Sequence, residues 1–383
     1  MPEKINILYI IDHLHKQAGT ESHLLLLLEL LDRKRFSCHV VAFDLGKELR
    51  DKTRRLGIPI FHLPVGRYYT FNALRQAFRL RKIIKHHRID IVQTFHFKSD
   101  VYGALVAYLT GIRCIISSKR DVGDIKNDFH FFLNRLFKGI IRHYIVVAKA
   151  VGDVVRNRER VPDSKIQVIY NGVDIHRFRP PQPREIAAAR QQLGLKDDDF
   201  VLGMVAVMRP EKNHDVLFTA FQEVRKKIPG LKLVLVGDGE LLEYYQHYVT
   251  SQGLNHRVLF TGQVRDARSP LRALDVACLV PGSNEGFSNA VIEKMAMGLP
   301  LIVTDVGGNA EAVIDGYNGI VIPPNRPDRL AEAILKLHAS PQLRKKMGQR
   351  SVKRVRKEFT LDKMIGCHED LYISMASQAT GSC

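Results

Sequence analysis

Gly282-Ser283-Asn284-Glu285-Gly286-Phe287-Ser288-Asn289-Ala290-Val291-Ile292-Glu293 is the stretch from which the rest of the chain can be read. An apolar run at 275–280 precedes it and a helical pattern to about Met297 follows, so it turns a strand into a helix. Gly286 suits a tight turn, and Ser288 or Asn289 suits the helix N-cap. The first N–H groups of such a helix lack partners within it and invite an anion. Glu285 stands in the loop and Glu293 in the second helical turn. Two isolated glutamates more often cap a helix and face solvent. At this spacing both can also reach one extended, hydroxyl-rich ligand.

Three further loops repeat the setting. Val205-Ala206-Val207-Met208-Arg209-Pro210-Glu211-Lys212-Asn213-His214 follows a strand-like run and supplies two cations. Arg209 brings a planar fork for phosphate oxygens and Lys212 a compact point charge. Val236-Gly237-Asp238-Gly239-Glu240 also ends a strand, and Gly237 and Gly239 allow close approach of backbone to a ligand. Val306-Gly307-Gly308-Asn309-Ala310-Glu311 again lies between a strand and a helix. Four such loops in one half point to a diphosphate-bearing ligand at the carboxyl edge of one parallel sheet.

The wider pattern agrees. Strand-like runs fall at 5–11, 38–43, 58–62, 90–95, 113–117, 142–147 and 166–170, then at 200–206, 231–236, 257–260, 275–280, 300–303 and 319–322. Most are apolar throughout and alternate with helical segments, which is the pattern of parallel α/β sheets covered on both faces. Pro180, Pro181 and Pro183 break the chain near 174–184, giving domains 1–176 and 184–358. The tail 359–377 reads as one more helix, with 378–383 as a frayed end.

The chain has 383 residues and a formal net charge of +18. Residues 1–180 carry 32 Lys and Arg against 17 Asp and Glu, a net of +15. An anionic partner is therefore expected on the first half. At 74–88 a helical pattern puts Arg75, Arg79, Lys82 and His86 on one stripe, with Leu74, Ala77, Phe78 and Ile84 packing elsewhere. At 126–142, Phe129, Phe131, Phe132 and Phe137 interleave with Lys126, Arg135, Lys138 and Arg142. Both suit an anionic membrane surface, or equally a solvated basic helix. The five cysteines are scattered and form no CxxC pair, as expected of a reducing compartment without a structural zinc site. The run Leu24–Leu31 is too short to span a bilayer and the start reads as no signal peptide. The expected place is cytoplasmic, peripheral on the inner face of the membrane.

The segment from Glu285 through Gly298-Leu299-Pro300, with Gly307-Gly308 and Glu311 beyond, resembles glycosyltransferase family 4. Tyr170-Asn171-Gly172-Val173-Asp174 resembles that family's segment before the domain crossover. The resemblance implies an α/β, GT-B architecture: two Rossmann-like domains with parallel sheets facing a central cleft, and a C-terminal helix crossing back to the first. It implies a retaining transfer from a nucleotide-sugar, UDP-sugar above all, and the +15 first half makes a lipid-linked or oligosaccharide acceptor, as in surface-polysaccharide or lipopolysaccharide biosynthesis, the leading expectation. Catalytic roles fall to Arg209, Lys212 and Glu285. Glu285 contacts the donor sugar and Glu293 the ribose, while Phe287, Ser288 and Asn289 offer backbone amides, and Gly286, Gly237, Gly239 and Gly19 complete the donor set.

The resemblance has departures. Ser288 stands where many members have Gly, and Lys294 where Ala is usual. Only Gly19 stands in a first-strand loop where relatives often have two glycines, and His13 and His15 there read as surface or loop-packing residues. Ser117-Ser118-Lys119-Arg120-Asp121 lacks a histidine found in many relatives. His96, Arg120 and Asp121 remain candidates for the acceptor. No DxD-like cluster is evident, so no metal and no essential cofactor is expected. Transfer to a soluble acceptor, nucleotide-sugar epimerisation and nucleic-acid binding stay open, although no nucleic-acid-reading motif is present and no such partner is expected.

Overall fold

Every expected apolar run forms a strand in the computed structural model, which describes residues 4–15, 19–66, 70–123, 128–264 and 266–380. The expectations for Lys126, for loop residues 16–18 and for the end 381–383 lie outside the described residues. The chain divides into two units, Met1–Asn171 with Asp362–Cys383 and Gly172–Leu361.

In the first unit β1 (Ile5–Leu14), β2 (Phe36–Leu45), β3 (Ile60–His62), β4 (Ile91–Phe95), β5 (Cys114–Lys119), β6 (His143–Val146) and β7 (Ile166–Val168) make one sheet. Its order is β3-β2-β1-β4-β5-β6-β7 and every pairing is parallel. Helices α1 (Gly19–Leu30), α2 (Lys47–Arg55), α3 (Phe71–His86), α4 (Ala104–Leu109), α5 (Asp128–Phe137) and α6 (Lys149–Arg158) connect the strands. β4 and β5 are buried along their whole length, the polar Gln93, Thr94, Ser117, Ser118 and Lys119 included. β1 and β2 outrun their apolar runs, pairing from Ile5↔Phe36 to Leu14↔Leu45. Their last residues include the exposed His13 and Asp44, so the ladder continues into a polar edge.

The second unit contains α7 (Pro183–Gln192), α8 (His214–Val224), α9 (Leu242–Ser251), α10 (Arg268–Leu271), α11 (Asn289–Ala296), α12 (Asn309–Ala312), α13 (Pro327–Ala339) and α14 (Pro341–Glu358). Its strands are β8 (Phe200–Val205), β9 (Leu231–Val236), β10 (Val258–Gly262), β11 (Val276–Leu279), β12 (Leu301–Thr304) and β13 (Gly319–Ile322). They run β10-β9-β8-β11-β12-β13, again all parallel. The four candidate loops therefore leave the carboxyl ends of four adjacent strands, β9, β8, β11 and β12. The chain order reverses between β8 and β11, where open α/β sheets bind ligands.

The tail helix is α15 (Leu361–Thr380), which belongs to the first unit. Tyr372 donates its hydroxyl to Gln93 Oε1 at 2.5 Å and accepts from Tyr9 at 3.3 Å. Glu369 accepts from the Asp32 amide at 3.0 Å. The segments entering and leaving the second unit touch: Val173 bridges Thr360, and a Cβ on Gly172 would lie 2.5 Å from the Thr360 carbonyl oxygen. Gly172 is thus fixed by chain packing.

Candidate active site

In the second unit the two loops that flank the switch point meet through charge. Lys212 Nζ lies 2.7 Å from Glu285 Oε2, joining the loop after β8 to the loop after β11. Lys212 closes a short turn begun by Arg209 and Pro210, and the next residue, Asn213, takes the left-handed conformation at φ 58°. Arg209 stays half exposed, its guanidinium 4.0 Å from Glu211. One cation is held and the other is open to solvent, which suits a ligand that brings its own negative charge.

The turn around Glu285 differs from the expected one. The left-handed residue is Asn284 at φ 51°, whereas Gly286 is not left-handed. The Gly286 carbonyl instead accepts from the Gly308 amide at 2.7 Å. Gly307, at φ 56°, lies so close to the Glu285 carbonyl that a Cβ would overlap it. The Gly307-Gly308 pair therefore seats the Glu285 loop. Ser288 is the N-cap of α11 with its backbone, accepting from Val291 at 3.2 Å. Its side chain caps no amide, which leaves the first turn of the helix open to an anion. The Phe287 ring is buried against Phe359, centroids 5.3 Å apart. Asn289 Oδ1 is buried without a hydrogen-bond partner.

Gly237 and Gly239 also have a different duty from the one expected. At φ 141° and 157°, a Cβ on them would strike the carbonyls of Ala206 and Met208 at 2.1 and 2.5 Å. Their close approach is to the neighbouring loop, where the Met208 amide donates a hydrogen bond to the Asp238 carbonyl at 3.0 Å. They position the backbone that carries Arg209 and Lys212.

Beneath this surface lies Lys294, which the sequence marked as a departure without showing its burial. Lys294 is completely buried and Nζ reaches only the Cys278 carbonyl, at 3.4 Å. Burial pulls its pKa down to about 8, against the opposing pull of Cys278, Glu293 and Glu285. Glu293 is pushed up to about 7 by burial, with Lys294 and Arg177 opposing. The cost of burying a charged lysine was the available signal, since replacing a small residue by Lys inside a helix next to a site is rarely neutral.

The first-unit candidates form a separate cluster. His96 follows β4 in a left-handed conformation at φ 73°, with Nδ1 buried and unpartnered. Burial first, then His13, lowers its pKa to about 4, so it is neutral at ordinary pH. Arg120 donates to Asn171 Oδ1 at 2.6 Å, and burial lowers its pKa to about 10 against the pull of Glu21. Asp121 accepts from the Gly123 amide at 2.8 Å. Gly19 opens α1, and a methyl there would meet nothing within 4 Å. Lys119, which the sequence placed in the same loop, ends β5 instead and is buried 2.8 Å from Asp100.

Comparison with known proteins gives the family. Residues 18–177 match the model described as Glycosyltransferase Family 4, and residues 185–354 match Glycosyl transferases group 1. The chain is a family 4 glycosyltransferase. An Escherichia coli protein named UDP-Gal:alpha-D-GlcNAc-diphosphoundecaprenol alpha-1,3-galactosyltransferase is 27% identical over 364 residues, 91% of each chain. N-acetyl-alpha-D-glucosaminyl L-malate synthase of Bacillus anthracis is 26% identical, covering 87% of this glycosyltransferase and 92% of that protein. The Anabaena protein HepE, solved in complex with UDP, superimposes with a TM-score of 0.87 at 21% identity, over 97% of this chain and all of that one. That likeness carries the fold. Among the described residues, no helix of this glycosyltransferase is long and apolar enough to cross a membrane.

Proposed function

We propose that this enzyme transfers a sugar, with retention, from a UDP-sugar to a lipid-linked acceptor in the assembly of a bacterial surface polysaccharide. The observation that carries the donor half is the Lys212–Glu285 contact across the switch point, at 2.7 Å, beside the uncapped start of α11. Lys212, Arg209 and the α11 amides stabilise the departing diphosphate as the anomeric carbon gains positive charge. Glu285 accepts a hydroxyl of the transferred sugar and Glu293 the ribose. The acceptor hydroxyl attacks from the face the diphosphate leaves, and its proton passes to a diphosphate oxygen. Uridine as the base draws support from HepE, solved with UDP and with UDP-glucose. A lipid acceptor draws support from the name of the Escherichia coli relative.

The same reading takes the enzyme to the cytoplasmic face of the membrane as a peripheral protein. On α3, Phe71, Leu74 and Phe78 recur at helical spacing and are 84%, 53% and 56% exposed. Leu74 and Phe78 were expected to pack away, but the buried side of α3 is Ala73, Gln76, Leu80 and Ile84. On α5, Phe129, Phe132 and Leu136 repeat the spacing and are also exposed. Exposed aromatics amid Arg75, Arg79, Arg81, Lys82 and Lys85 fit an anionic lipid surface. Phe78, Arg81, Lys82, Lys85 and His86 line a shallow depression of about 700 Å³.

The test is incubation with a panel of sugar nucleotides, with and without a polyprenyl-diphosphate-linked sugar. The expected product is an elongated lipid whose anomeric configuration, read by NMR, matches the donor. Release of an epimer from donor alone would instead make the enzyme an epimerase. Elongation of soluble sugars in preference to the lipid would overturn the acceptor.

A further inference from the structure

A second set of chemistry-bearing side chains converges in the first unit. His13 lies near the end of β1 and His15 one residue beyond it, and both are exposed. Asp44 on β2 is the register partner of His13. His15 Nδ1 is 2.9 Å from Asp44 Oδ2, and His13 Nδ1 is 3.8 Å from the same oxygen. One donor atom from each of the three lies within 4.8 Å of the others, and among the described residues no other three His, Cys, Asp or Glu side chains converge so.

The backbone is built to hold them there. A Cβ on Gly46 would lie 2.7 Å from His15 Cα and 2.8 Å from its carbonyl oxygen. Only glycine lets the chain after Asp44 pass this close, and Gly46 donates its amide to Leu14 at 3.1 Å. Behind the cluster stands His96, its ring 6.1 Å from that of His13 and its Nδ1 buried without a partner.

We propose that His13, His15 and Asp44 bind a divalent transition ion of the zinc class. Ligands at about 2.0–2.1 Å around a tetrahedral ion stand roughly 3.4 Å apart, so small rotations of these exposed side chains complete the site. Two imidazoles and one carboxylate favour zinc and its neighbours over magnesium or calcium, which prefer all-oxygen sets. Three protein ligands leave a fourth position for water or an anionic oxygen. The ion is thus an addition to the transfer chemistry, in which no step requires a metal.

The experiment uses the full-length protein, stripped with a chelator and dialysed against Zn²⁺, with bound metal counted by elemental mass spectrometry. Wild type is compared with His15→Ala, Asp44→Asn and the exposed control His247→Ala. Wild type and the control are expected to hold one more ion per chain than the other two. Loss of a direct ligand should weaken binding by at least about tenfold, since even supporting contacts are worth that. Co²⁺ should give wild type a visible absorption band that His15→Ala lacks, and Zn²⁺ should raise the melting temperature of wild type alone among wild type and the two site variants. Equal uptake by all four proteins, or none by wild type, would overturn the proposal. Because both substituted side chains are exposed, the variants fold, and thermal melts verify it.

Discussion

The two sheets reverse their strand order at equivalent places, between β1 and β4 in the first unit and between β8 and β11 in the second, and they handle charge there in opposite ways. In the first, Asp12 at the end of β1 accepts from the Lys98 and Ser99 amides after β4, at 2.8 and 2.6 Å. The protein caps its own helical segment and closes that anion site. Burial pushes Asp12 up to about 7 all the same. In the second, the amides at the start of α11 receive no side-chain cap, and the charges brought to the crevice are Lys212, Arg209 and Glu285. A Rossmann-like sheet provides the setting for an anion site in both units, and whether the chain fills it with its own carboxylate decides which unit stays open to an outside anion.

Paired substitutions break that contrast if it is false. Lys212→Ala should lower kcat/KM for transfer by about 10²–10³-fold with little loss of stability, the usual effect of removing one transition-state donor. Asp12→Ala should do the reverse, costing about 1–3 kcal/mol of stability because it strands two amide donors, while turnover per folded molecule falls far less. Thermal melts and steady-state rates on both proteins read this out. Loss of transfer in Asp12→Ala at an unchanged melting temperature would place the anion site in the wrong unit.

A smaller effect sharpens the picture of the second unit. Glu293 titrates near 7 instead of its ordinary 4.5 because burial disfavours its charge. Between those values the folded state holds more protons than the unfolded one, so stability falls as pH rises from 4.5 to about 7. Glu293→Gln should remove that loss, raising stability at pH 8 by about 1–3 kcal/mol, with little change at pH 4. Transfer should fall in the same variant, the pattern expected where function keeps a destabilising group. Denaturant melts at the two pH values check it, and equal changes at both would refute the burial argument.

The strands were legible because most parallel strands covered on both faces are largely apolar, as in Leu231–Val236 and Val276–Leu279. The strand ends were not, because Asp12 and His13 look like loop once helical cover ceases. The candidate residues Arg209, Lys212 and Glu285 were legible as types set after strands, and Glu293 as a type on the helix that follows. What held them was hidden: the left-handed Asn213 and Asn284 use no glycine, and Gly237 and Gly239 answer to the carbonyls of Ala206 and Met208. His13, His15 and Asp44 could not be joined from sequence, because about 30 residues part them and only the β1–β2 register brings them together.

The smallest expected effect concerns the charge carried outside both switch points. The first half of the chain holds +15 of the +18 net charge, so membrane attraction should respond to charges there and not in the second unit. A basic residue near an anionic leaflet contributes about 1 kcal/mol, which is roughly fivefold in partition. Lys82→Gln on α3 should therefore lower binding to vesicles containing phosphatidylglycerol about fivefold at low salt, and the gap should shrink as salt screens the interaction. Lys353→Gln, an equally exposed change on α14, should leave binding unchanged. Flotation of both proteins measures it directly. Equal losses would mean that net charge alone drives binding and that the exposed Phe71, Leu74 and Phe78 have no share in where the membrane is met.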